Sequence, residues 1–217
     1  SNTGNLIDFS FKRAPGFFDV VAYTGNNSTR TITHNLNSAP EMMIFKLRSA
    51  SNSWIVYHKN AGATHYSLLN TNDTPFDDSV AFNDTNPTAS VFTVGSGYGV
   101  NANNQGVIAY LFASLSGISK VGSYSGTGYA VNVDCGFTAG ARFVLIKRTD
   151  SSGDWYVFNT ASGIVSGNDS YMLLNDTDSE VTNTDYIDPL NAGFTVTSSA
   201  PAALNTSGGT YMFLAIA

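Results

Sequence analysis

A single cysteine, Cys135, is all the thiol chemistry this chain has. One cysteine closes no internal disulfide and completes no cysteine-based metal motif. It reads as a small buried apolar residue and not as a nucleophile. Charge is scarce as well: Asp, Glu, Lys and Arg make up 12 % of the 217 residues, about half the usual share. Ten basic side chains face sixteen acidic ones, for a net charge of −6. With no basic run, the sequence has no footprint of a nucleic-acid or anionic-membrane binder. No apolar stretch reaches the roughly 18 residues a membrane helix needs, and no secretory leader pattern opens the chain. The opening Ser1-Asn2-Thr3-Gly4 reads as the edge of a longer parent, where any targeting signal is expected. Helical periodicity is missing too: no window of ten or more residues carries it with caps.

Hydrophobic residues are plentiful at 42 %, enough for a packed core and against global disorder. They fall in short runs rich in Val, Ile, Phe, Tyr and Thr, separated by Gly, Asn, Asp and Ser. That pattern predicts strands at 18–24, 29–34, 42–48, 53–58, 65–69, 90–94 and 107–113. A second set follows at 120–124, 129–133, 142–148, 154–158, 170–174, 193–197 and 210–216. About seven short strands per hundred residues indicates an all-β chain of β-sandwiches with jelly-roll or Greek-key connections. The alternation of Ile44, Lys46 and Arg48 with Phe45 and Leu47 predicts strands buried on one face.

The two sets are one set written twice. Tyr23-Thr24-Gly25 returns as Tyr124-Ser125-Gly126, a shift of 124 − 23 = 101 positions. At the same shift Ile44-Phe45-Lys46 becomes Leu145-Ile146-Lys147, and Trp54-Ile55-Val56-Tyr57 becomes Trp155-Tyr156-Val157-Phe158. Tyr66-Ser67-Leu68-Leu69-Asn70 and Phe92-Thr93-Val94 have partners at Tyr171–Asn175 and Phe194–Val196. The expected division is residues 1–12 as the last strand of a preceding unit plus linker, 13–117 as the first sandwich and 118–217 as the second.

Duplication sorts the candidate chemistry, because a residue kept in both copies serves the module itself. Trp54 and Trp155 are kept, and each has two readings: an anchor of the core, or a platform for sugar rings. Lys46 and Lys147 are kept and are expected to face solvent. The histidines are not kept: His34, His58 and His65 meet Asp134, Asn159 and Ser170. A general base would then exist in one copy only. Gly122-Ser123-Tyr124-Ser125-Gly126 puts Tyr where a nucleophile elbow needs Ser. Gly95-Ser96-Gly97-Tyr98-Gly99 reads as a loop, since no helix follows to hold a phosphate. Asp73, Asp77, Asp78 and Asp84, with Asp176, Asp178, Asp185 and Asp188, crowd two matching connections, 71–87 and 176–191. Their spacing fits no calcium loop, and Asp commonly forms turns. No metal, no cofactor and no enzymatic activity is expected, the competing idea being a glycosidase pair such as Asp77 with Asp84.

The string Lys12-Arg13-Ala14-Pro15-Gly16-Phe17-Phe18-Asp19-Val20-Val21-Ala22-Tyr23-Thr24-Gly25 resembles a repeated domain of unknown function. Trp54–His58 and Val107–Ala113 extend the resemblance; Val121–Gly126, Lys147–Asp150 and Trp155 look like its second copy. That domain is found in predicted structural proteins of marine bacteriophages. The resemblance implies a virion location outside the cell, in a tail fibre or another surface part, and other virion proteins as neighbours. Fibres of this kind are often homo-trimers. The resemblance supplies no catalytic residues. Together with the neutral Asn/Thr/Tyr surface, it points to a module that binds a host-surface glycan or receptor through Trp54, Tyr57, His58, Trp155 and the 71–87 and 176–191 loops. The competing expectation is a purely structural spacer or decoration. No nucleic acid and no membrane insertion are expected.

Overall fold

The computed structural model describes residues 9–217, and their regular secondary structure is almost entirely β. The first module contains β1 (Phe18–Thr24), β2 (Arg30–Thr33), β3 (Met42–Leu47), β4 (Ile55–His58), β5 (His65–Leu68), β6 (Phe76–Asp77), β7 (Val91–Val94) and β8 (Gly106–Phe112). The second contains β9 (Ser119–Ser125), β10 (Val131–Asp134), β11 (Phe143–Arg148), β12 (Trp155–Asn159), β13 (Asp169–Leu173), β14 (Val181–Thr184), β15 (Ile187–Leu190), β16 (Gly193–Val196) and β17 (Thr210–Ile216). Two single helical turns, α1 (Tyr98–Asn101) and α2 (Ala202–Asn205), precede the last strand of each module.

Each module is a sandwich of one six-stranded sheet and one small sheet, antiparallel throughout. The large sheets run β1-β8-β3-β4-β5-β6 and β9-β17-β11-β12-β13-β14, the same order in the same sequence positions. The small sheets are β2-β7 and β10-β16-β15, where β15 has no counterpart in module one. In both modules the last strand is inserted between the first and third, so Phe18 pairs with Phe112 and Ser119 with Ile216. The same turn opens both modules, closed by bridges Ala14–Phe18 and Leu115–Ser119. Gly16 and Gly117 sit in it at φ of 75° and 74°, a backbone region that glycine enters without strain.

Three cores hold the molecule. Phe45, Tyr57, Phe82, Phe92 and Val94 fill the space between the sheets of module one, and Ile146, Phe158, Phe194 and Phe213 do so in module two. The third core joins the modules: Phe18, Met42, Val56 and Phe112 of the first pack on Val121, Leu145, Trp155, Val157, Met212 and Leu214 of the second. The two large sheets therefore lie face to face, giving four layers.

This shared core corrects the expectation of strands buried on one face. All four residues of β4 and all five of β12 are buried, because the second face of each large sheet lies against the other module. Lys147 is corrected for the same reason. Its side chain is completely buried, donating to the carbonyls of Gly153 (2.8 Å), Arg148 (3.1 Å) and Asn72 (3.3 Å). Burial pulls its ammonium down to about 8. The strand expected near the start of the chain lies mostly outside the described residues, and 9–12 carry no strand.

Candidate functional site

The four nominated residues do not converge. Tyr57 points into the first core, edge-on to Phe82 at 5.4 Å, and burial pushes its hydroxyl up to about 12. His58 is buried on the opposite face, against module two. The Asn60 N–H donates to its Nδ1 at 3.2 Å, so Nε2 carries the proton and donates to the Phe213 carbonyl at 3.2 Å. Burial holds this imidazole down to about 4, so it stays neutral and structural at ordinary pH. Trp155 is 1 % exposed in the shared core, and its Nε1–H reaches the Leu68 carbonyl of module one at 2.9 Å. A sugar has no access to any of these three.

Trp54 differs. Its backbone N–H is held by Asn70 Oδ1 at 2.9 Å, as that of Trp155 is held by Asn175 Oδ1 at 2.7 Å. Its indole, however, is only half-buried. It borders a groove of about 400 Å³ on the large sheet of module one, with Val20, Ile44, Leu69 and Tyr110 as floor and Phe9 and Phe11 beside them. The matching positions in module two, Val121, Leu145 and Leu214, are sealed in the shared core. Lys46 stands over the Trp54 ring at 5.3 Å from its centroid and donates to the Asn52 carbonyl. The ring contact is a cation–π pair, and the bond to the Asn52 carbonyl is the counterpart of the Lys147–Gly153 bond. The kept lysines thus tie down the β3–β4 and β11–β12 loops.

A second cleft, of about 420 Å³, opens between the modules and is lined by Asn60, His65, Ser123, Thr149 and Thr210. The acidic connections behave as turns. Asp78 accepts from the Val80 N–H (2.9 Å), Asp176 from Thr177 and Asp178, and Asp188 from Gly167. Asp77 lies in β6, paired with His65, while Asp84 lies in a turn at φ 49°. Among the described residues no group of three or more His, Cys, Asp or Glu is gathered as a metal site. Cys135 is buried, and burial lifts its thiol to about 12.

Sequence reasoning passed over the residues that repeat most faithfully. Asn101 and Asn205 end α1 and α2 and are buried. Asn101 accepts from the Asn26 N–H (3.1 Å) and donates to the carbonyls of Ser28 and Gly95 (2.8 Å each). Asn205 accepts from Thr127 and Gly128 and donates to Tyr129 (2.7 Å) and Thr197 (2.8 Å). The Tyr23 hydroxyl reaches the Val100 carbonyl, and that of Tyr124 the Leu204 carbonyl at 2.8 Å. After each Tyr the glycine is required, since a Cβ on Gly25 or Gly126 would stand 2.1 or 2.3 Å from a carbonyl oxygen. The signal was present: the same Tyr-Thr/Ser-Gly and the same Asn, in register, in both copies.

Fold and site together define an all-β double sandwich whose kept polar residues serve the framework. The chain belongs to the family described as "Domain of unknown function (DUF7483)", whose model matches residues 5–217 in one stretch across both modules. No curated protein and no solved structure matches the chain.

Proposed function

We propose that the chain is a non-enzymatic surface module of a virion, of the tail-fibre type, and that the Trp54 groove of module one binds a neutral glycan on a host surface. The observation that carries this reading is the unequal fate of the paired tryptophans: Trp155 is sealed, and Trp54 is left half-open above an apolar floor. An aromatic edge above an apolar floor suits the apolar face of a sugar ring, and the Lys46 ammonium over the indole supplies a donor beside it. The net charge of −6 works against polyanionic partners. In a parent homo-trimer three such grooves would add avidity.

The alternative is a structural spacer that touches only other virion proteins, and the shared core favours it by making one stiff body of two modules. A glycan array and whole-cell binding with the full 217-residue chain decide between them. Binding to one glycan class that Trp54→Ala abolishes supports the first reading; silence on arrays and host cells leaves the spacer.

A further inference from the structure

Behind the Trp54 groove, on the other face of the same sheet, module one has a pocket whose place in module two is taken by aromatic rings. It measures about 250 Å³ and is lined by Asn52, Ser53, Ile55, Tyr66, Leu68 and Val80, with the α1 turn beside it. The duplication identifies what fills the matching place. Ile55 corresponds to Tyr156 at the 101-residue shift. Ala81 corresponds to Tyr186, because their carbonyls accept the equivalent bonds, from Gly95 and Thr197. Gly99 corresponds to Ala203, each lying two positions before its helical-turn Asn. In module two Tyr156 meets Tyr171 at 5.0 Å and Tyr171 stacks on Tyr186 at 5.6 Å. Module one keeps only the central ring, Tyr66, which stacks on Phe76 at 5.3 Å. Ile55 and Ala81 are thus smaller than the rings of Tyr156 and Tyr186 and leave room in module one, while the place of the Ala203 methyl at Gly99 is taken by the Ile55 side chain, which a Cβ there would meet at 2.3 Å.

We propose that this pocket receives a single neutral hexose ring, the terminal unit of the glycan. The inference rests on the glycan reading above and adds the place and class of the terminal sugar. The pocket is smaller than the roughly 300–1,000 Å³ of drug-sized sites, which suits one ring and not a chain. Tyr66, Ile55, Leu68 and Val80 give apolar walls, and Asn52 and Ser53 bring an amide and a hydroxyl to the rim. No cationic side chain lines it, and Asp78 lies close enough to Tyr66 to raise its hydroxyl further, after burial. An acidic sugar would meet carboxylate and no counter-charge. Ser53 lines this pocket and its neighbour Trp54 lines the groove on the other face, so one glycan can bend around the start of β4.

The test titrates the full chain with glucose, galactose, mannose and N-acetylglucosamine, followed by saturation-transfer NMR and calorimetry. One hexose should bind with a Kd on the order of 1 mM. Ile55→Tyr, which installs the residue of module two, should weaken it about tenfold or more, with circular dichroism confirming the fold. Ser53→Ala, at the half-buried rim, should weaken it about threefold. Binding unchanged in Ile55→Tyr and Ser53→Ala but lost in Trp54→Ala would overturn the pocket and leave the glycan reading standing. Failure of all four sugars to bind at about 50 mM would also overturn the pocket, while the oligosaccharide array judges the broader reading separately.

Discussion

Modules one and two hold a tryptophan where the same strand begins, Trp54 just ahead of β4 and Trp155 as the first residue of β12, by the same bond from its backbone N–H to an Asn side chain. In module two the ring fills the core between the large sheets and bonds to Leu68 across it. In module one it stands half-open under a lysine. The same contrast runs through the lysines, one free to meet a ring and one enclosed by three carbonyls, and through Ile55 against Tyr156. What the copies share is framework; what they do not share is where one copy meets the other or meets solvent. Presence in both copies is therefore a test for structural need, and a site has to be sought in the differences.

The comparison breaks or sharpens at four points, and the largest lies at the tryptophans. Trp155→Ala should cost about 4 kcal/mol in urea unfolding, as for a large buried aromatic. Trp54→Ala should cost about 1–2 kcal/mol, because its ring is only partly withdrawn from water. Equal losses would mean that the two rings are equally packed.

His58 comes next. Its folded pKa, about 4, lies below the ordinary 6.5, so the unfolded chain takes up the proton first. Stability is then full above pH 6.5 and falls as pH drops toward 4, by about 3 kcal/mol at the lower end. His58→Asn copies Asn159, which accepts the N–H groups of Ala161 and Ser162 at 3.0 and 2.9 Å. Melting curves of this variant between pH 7 and 4 should lose most of the slope that the wild type shows. His34, also held low by burial, keeps a smaller remainder.

Asn101→Ala and Asn205→Ala should each cost about 2–3 kcal/mol, since each strands buried backbone groups. Near-equal values by denaturant titration would confirm that the two clamps do one job; a twofold difference would separate them. The smallest effect belongs to Lys46→Met. It should change stability by less than about 1 kcal/mol yet shift Trp54 fluorescence by removing the cation from its ring.

Much of this architecture was legible in the chain. Strands at Phe18–Thr24 and Thr210–Ile216 begin and end where the apolar runs do, because Gly16 and Gly25-Asn26 bracket the first and Gly208-Gly209 precede the second. Three strands were missed: Phe76–Asp77, Val181–Thr184 and Ile187–Leu190. They are short, broken by Asp, Asn or Pro, and held by neighbours, so local pattern carries little of their cause. The face-to-face packing of the modules was not legible either, since an apolar residue turned toward a second module looks like one turned toward its own. Of the candidate site, Trp54 was visible as a kept indole. Its opening, and the burial of His58 and Trp155, depend on how one sheet is laid over another. The pocket beside Tyr66 is visible only by comparing residue sizes between copies once the strands are aligned in space.

The insertion of each module's last strand beside its first brings Phe18 next to Phe112 and Ser119 next to Ile216. Chain therefore arrives at and departs from a single corner of each large sheet. A unit with adjoining ends can be spliced into a longer polypeptide, or cut out of it, without rethreading what lies on either side. Growth by doubling needs only a short crossing such as 113–118.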